Sequence, residues 1–396
     1  MMKVIFVKLL LLASVALSAN PVDSIKTLPA NSVDKMMTAE SKLTIGGYAQ
    51  IDYNQPLNRN SYQNGLLDVH RLVMLFGYKF NDRTQFFTEL EFEHISEVYV
   101  EQAFLDYKIN PYIHFRGGLM LIPIGIINEY HEPPTYNGVE RPHVDNVIVP
   151  TTWRELGAGF TGNIPRAMLK YQLYVVNGFK SYDEDGYYLN GKDAFRKGRQ
   201  KGAESIISTP NLSGKVDYYG LPGLNLGMSL YTGKTQSKAY QNVEKDSNLK
   251  VASADSTVVG LTMLGLDARY QIGGLHLRGV FYYSKIKGSA AYNTISGKDL
   301  GSSMVGYYAE AGYNVFHLLR NVKSQLIPFI RYEQYDTHFT VDGGLNRNKA
   351  YQNEIITSGL GWKPTPGTAI KADLQFINNG LDQYKTIFNA GIGVMF

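Results

Sequence analysis

A period of two, sustained from about residue 41 to the end of the chain, constrains this sequence more than any other feature. Leu43, Ile45, Gly47, Ala49 and Ile51 alternate with Thr44, Gly46, Tyr48, Gln50 and Asp52. Phe86, Leu90 and Phe92 alternate with Glu89, Glu91 and Glu93, and Leu224, Leu226, Met228 and Leu230 with Asn225, Gly227 and Ser229. The same pattern runs through Leu264–Tyr270, Ile370–Phe376 and Tyr384–Phe396. Such spacing puts apolar side chains on one face of a strand and polar ones on the other. After the first residues, no apolar run reaches the roughly 18 residues of a spanning helix.

Two kinds of connection separate these strands. Short ones carry turn residues: Asn81-Asp82-Arg83, Asn110-Pro111, Asn163-Ile164-Pro165, Leu221-Pro222-Gly223, Gly273-Gly274 and Pro364-Thr365-Pro366-Gly367. Long polar ones cover about 54–66, 121–150, 179–209, 234–257, 287–302 and 336–350. Their alternation matches an outer-membrane barrel, with short periplasmic turns and long external loops. A soluble sandwich alternates too. Long strands, Tyr and Phe recurring near strand ends, and a secretory leader favour the barrel. At about 45 residues per hairpin, the predicted fold is an all-β transmembrane antiparallel barrel of about sixteen strands. Fourteen or eighteen also fit.

Lys3 and Lys8, then Leu9 to Leu17, then Ala16, Ser18 and Ala19 read as a signal peptide over 1–19. Residues 20–40 read as a loose periplasmic lead-in with at most one short helix, and 41–396 as the barrel. Losing Lys3 and Lys8 lowers the net charge from +4 to +2 (4 − 2), which does not suit a nucleic-acid binder. The chain has no Cys, so disulfides, thiolate metal sites and Cys nucleophiles are excluded.

Several runs resemble the phosphate-selective porin O and P family. They are Arg116-Gly117-Gly118-Leu119-Met120-Leu121-Ile122-Pro123-Ile124-Gly125, Tyr174–Phe179, Gly306–Tyr313 and Pro328–Asp336. The resemblance implies sixteen strands, a homotrimer, a bacterial outer-membrane location and a third long loop folded into the lumen. That loop is about Leu121 to Pro150. Five prolines stiffen it, and His131, Glu132, Glu140, Arg141, His143 and Asp145 give it polar character. Anion-preferring members of the family place a Lys two residues before the Pro, where this chain has Leu121. The terminal Phe396, with Phe388 in phase, resembles the end recognised by outer-membrane assembly machinery.

Strand phase predicts lumen-facing bases Arg71, His114, Arg116, Lys170, Arg269, His276, Arg278, Arg331 and Lys371. The predicted acids are Glu89, Glu91 and Glu93, which form one stripe, with Asp106, Asp217, Asp267, Glu310, Glu333 and Asp373. Strong anion selectivity needs unopposed cations. This mixture predicts a water-filled channel that passes small polar solutes with weak ion preference. A phosphate- or anion-selective porin is the alternative, and a surface-binding adhesin with a blocked lumen a third. Gly227–Thr235 has five residues between its glycines where a P-loop has four. His131-Glu132 lacks the second His of a zinc helix, and no G-x-S-x-G occurs. The expectation is therefore no enzyme, metal or cofactor. The basic run Arg196–Lys201 reads as a solvated loop or a contact for lipopolysaccharide phosphates, beside outer-membrane lipid as partner.

Overall fold

A computed structural model describes residues 31–57 and 61–396; the predicted signal peptide 1–19 and residues 20–30 lie outside the described residues. Sixteen strands form one closed barrel. In chain order they are β1 (Leu43–Leu57), β2 (Leu66–Lys79), β3 (Thr84–Glu93), β4 (Glu97–Asn110), β5 (Ile113–Leu121), β6 (Arg154–Ile164), β7 (Leu169–Val176) and β8 (Asn211–Leu221). Then follow β9 (Leu224–Lys234), β10 (Gly260–Ile272), β11 (Leu275–Lys287), β12 (Ser303–Tyr313), β13 (Gln325–Thr340), β14 (Gln352–Lys363), β15 (Thr368–Asn379) and β16 (Tyr384–Met395). Each strand pairs antiparallel with its neighbours in sequence, and β1 closes on β16 from Tyr48–Met395 to Leu57–Thr386. Gly47 and Phe396 exchange backbone hydrogen bonds of 2.9 and 3.0 Å, so both ends of the barrel meet at one rim. Closure leaves no unpaired edge, which is what allows strands to cross lipid.

At that rim the connections 80–83, 111–112, 165–168, 222–223, 273–274 and 364–367 are short. The opposite rim carries 122–153, 177–210, 235–259 and 288–302. Three connections break the pattern: 314–324 is long at the short-turn rim, and 94–96 and 380–383 are short at the other. β13 also runs to Thr340, beyond the strand end expected near 335. Its upper end is held because the Thr340 carbonyl accepts from Ser302 N–H (2.8 Å) and its hydroxyl bonds Ser302 and Ser303.

The outer face is apolar. Leu173 and Val175 of β7, Leu212 and Val216 of β8, and Leu226, Met228 and Leu230 of β9 are all exposed and adjacent. In water such a patch would need cover; on a closed barrel it meets lipid. The interior departs from the expected wet, polar lining. Val73, Leu75, Phe87, Phe104, Met263 and Val280 point inward and pack with Ile122, Ile124 and Ile126 in one apolar cluster. The core of this molecule lies between the wall and the segment 122–153.

The lead-in also differs from a loose tail. Ser32–Thr38 forms helix α1, started by Asn31, whose side chain accepts from Asp34 N–H (2.8 Å). Val33 is buried, Asp34 pairs with Lys170 of β7 at 2.8 Å, and Glu132 accepts from Ser32 N–H (3.2 Å). The apolar contact and the ion pair hold α1 inside the short-turn end of the barrel.

Candidate functional site

The segment 122–153 has almost no sheet partners, yet it lies deep inside the barrel. Its backbone groups therefore need side-chain partners. Charged residues of the wall supply them. Lys371 Nζ donates to the carbonyls of Pro133 (2.6 Å), Tyr136 (2.7 Å) and Gly138 (2.8 Å). Lys363 donates to Pro134 O (2.6 Å) and Arg278 to Thr135 O (3.1 Å). Asp373 accepts from Val139 N–H (2.7 Å) and Glu333 from Val144 N–H (3.2 Å). On the other side Lys215 reaches Gly125 O (2.5 Å) and Glu129 (2.8 Å). Gly125 has φ +70°, and a Cβ there would strike the Tyr282 hydroxyl. Gly118, at φ +139°, would meet the Ala103 carbonyl and Phe104. Gly118 and Gly125 of the sequence motif thus allow close approach at the entry to the loop.

These contacts correct the expectation that the predicted charges line a wet passage. Arg331 is fully buried between Glu310 (3.1 Å) and Glu333 (2.8 Å), and Arg278 also pairs with Glu310 (3.1 Å). Arg116 and His114 share Asp106, at 3.2 and 2.7 Å, and Arg116 lies over the Phe104 ring. Arg269 lies over Tyr130 and bonds Asn225 (3.0 Å). Arg71 donates twice to Gln50 (2.8 and 3.1 Å) and stands 3.9 Å from Glu91. Glu89 accepts from Tyr48 (2.9 Å) and Gln102 (2.6 Å). Glu93, the last acid of the stripe, is half-buried opposite Arg71 in the β2–β3 register. His276 is half-buried at the foot of β11.

Within the loop, His131 sits between Glu89 (3.4 Å) and Glu101 (3.8 Å). Burial would lower its pKa, but the two carboxylates outweigh it and raise the imidazole to about 9. Asp145, in the helical turn His143–Val147, accepts from the Tyr282 hydroxyl (2.6 Å). Burial, with Glu333 adding, raises its carboxyl to about 7. Glu140 accepts from Asn54 (2.9 Å), and His143 faces Gln375 (3.4 Å). The basic run Arg196–Lys201 splits. Arg196 donates to Thr151 O (2.8 Å) and Arg199 to Pro150 O and Thr152 O (both 3.1 Å), so both cap the loop from within. Lys197 pairs with Asp193 (2.8 Å) at the surface.

Open space remains on both sides of the loop. A cavity of about 290 Å³ lies between its tip and the wall formed by β15, β16, β1 and β2. Arg71, Arg141, Arg196 and His70 face it, with Glu140 as its acid. Nε and one terminal nitrogen of Arg141 have no hydrogen-bond partner. A smaller cavity of about 40 Å³ lies below, among α1, Arg116, Leu121, Glu129, Lys170 and Gln172.

Sequence reasoning missed Lys215, Glu101, Arg154 and Gln50. Lys215 shares the phase of Asp217, so alternation alone marks it as inward. Glu101 carried no such signal. A bulge in β4 shifts the register after Glu89↔Gln102, and both Glu101 and Gln102 become buried.

No family model matches the chain. Among solved structures it is similar to the outer membrane channel DcaP of Acinetobacter baumannii (10% identity, 89% of this chain and 97% of that one, TM-score 0.58). It is also similar to an anion-selective porin from Comamonas acidovorans (14%, 90% and 100%, TM-score 0.56) and to Salmonella typhi OmpF (12%, 89% and 97%, TM-score 0.56). The fold is accordingly that of the sixteen-stranded outer-membrane porins. With 31% identity over 360 residues, 86% of this chain and 77% of its relative, the chain belongs to one family with an uncharacterized protein of Aquifex aeolicus (strain VF5).

Proposed function

We propose that the protein is a passive diffusion channel of the bacterial outer membrane for small polar solutes, its size limit set by the segment 122–153. The observation that carries this reading is the cavity of about 290 Å³ beside the loop tip, lined by Asn54, Gln375 and Asn389 with Arg71 and Arg141. A barrel wall that spends its charges on anchoring the loop keeps an irregular segment fixed at membrane depth. That is what a constriction requires. Reconstitution in planar bilayers tests the proposal: discrete ohmic steps are expected, and absent conductance would favour the adhesin with a blocked lumen.

Arg141 favours a second, finer reading, a preference for anions. Its unpartnered guanidinium faces the cavity together with Arg71 and Arg196, against the one carboxylate of Glu140. Leu121, where anion-preferring members of the phosphate-selective family carry Lys, lines the lower cavity and offers no charge there. The reading is therefore anion preference without a strong phosphate site. Reversal potentials under a KCl gradient, with phosphate competition, separate the two. The trimer form recorded for Vibrio cholerae OmpT supports a homotrimer, which cross-linking in native membranes tests. Exposed Phe396 is the proposed contact for the assembly machinery, and the external loops for lipopolysaccharide.

A further inference from the structure

We propose that Glu89, Glu101 and His131 form a binding site for one first-row divalent cation of the zinc class, joining the lumenal loop to β3 and β4. The donor atoms of the three side chains all lie within 4.8 Å of one another. His131 Nε2 is 3.4 Å from Glu89 Oε1 and 3.8 Å from Glu101 Oε2. Tetrahedral zinc, with ligands at about 2.0–2.2 Å, sets its donors about 3.4 Å apart. The two His131 contacts are near that spacing, and the set, up to 4.8 Å across, must contract by at most about 1.4 Å to close on the ion.

A second observation points the same way. Glu101 is completely buried, and neither of its carboxylate oxygens makes a hydrogen bond. An ionised carboxylate in that state is costly unless a cation meets it. Arg154 forms an ion pair with Oε1 at 3.6 Å without hydrogen-bonding it, so both oxygens keep lone pairs open to a metal. Arg71, the other guanidinium nearby, is committed to Gln50.

The surroundings orient the remaining donors. His131 Nδ1 lies 3.2 Å from the Asn128 carbonyl, so the Nδ1–H tautomer leaves the Nε2 lone pair toward the carboxylates. Tyr48 donates to the same Oε1 and Gln102 to Oε2, which fixes the Glu89 carboxylate in place. An imidazole nitrogen with two carboxylates selects zinc or its neighbours over calcium and magnesium, which take oxygen donors. The competing occupant is a proton on His131, which the same carboxylates also favour. The site stands apart from the solute path, so it does not depend on the protein being a channel.

The test uses the full mature chain in detergent, stripped with a chelator and titrated with ZnCl₂ by calorimetry and elemental analysis. One zinc per chain is expected. Glu101→Gln and His131→Gln should each weaken binding at least tenfold, whereas His94→Gln in the external loop should not. X-ray absorption of the zinc-loaded wild type should show one imidazole among oxygen donors. That readout stands even where a variant does not fold. Absence of stoichiometric zinc, a shell without imidazole, or unchanged binding in folded Glu101→Gln overturns the proposal and leaves a proton as the occupant.

Discussion

Lys371→Met removes the single side chain that holds most of the tip of the lumenal loop. Its ammonium uses all three N–H groups on carbonyls at 2.6, 2.7 and 2.8 Å, and stands 4.0 Å from the centre of the Tyr136 ring. Hydrogen bonds from a charged donor contribute about 1.5–3 kcal/mol each. The three share one ammonium, and Lys363, Arg278 and Asp373 still hold the same stretch, so the low end applies. Weakening the tip by about 3–5 kcal/mol raises its opening about a hundred- to a few thousand-fold, at about 1.4 kcal/mol per decade. Hydrogen exchange read by mass spectrometry should show that acceleration for the amides of 135–139. The strand ladders of β14–β16 should stay as protected as in the wild type. Bilayer recordings should show a noisier and larger conductance. Unchanged exchange in 135–139 would refute the claim that wall charges are the loop's hydrogen-bond partners.

Arg141→Gln should move the reversal potential toward cations, since it deletes an unpaired charge facing the cavity; an unchanged potential in a KCl gradient argues against the anion reading. Asp145→Asn should melt near wild type at about pH 4 and higher than wild type at pH 8. The folded carboxyl titrates at about 7 against an ordinary 3.8, so the folded form binds the extra proton and stability falls as pH rises between those values. Melting followed by circular dichroism across that range checks the slope. Val33→Asp should expel α1 from the short-turn mouth by placing a charge in a buried apolar contact, seen as higher conductance without loss of the barrel. Gly125→Val should loosen the entry to the loop, because it needs φ near +70° and meets Tyr282; hydrogen exchange at 122–130 reports it.

The sequence by itself determined the barrel, a strand number near sixteen and most of its long loops. Alternation with a period of two has one stable outcome in lipid, a closed sheet, and turn residues mark its rims. Of the charges that phase places inward, Arg71, Glu89, Glu91, Arg331 and Lys371 are buried and Glu93 is half-buried. Only the tertiary structure decided what those charges meet. Lys371 finds carbonyls some 235 residues away in the chain, and Glu333 an amide 189 away, distances no local pattern encodes. The bulge that turns Glu101 inward is a register event between two strands, invisible in either alone. The fate of α1 was likewise decided by a barrel mouth that exists only once sixteen strands have closed.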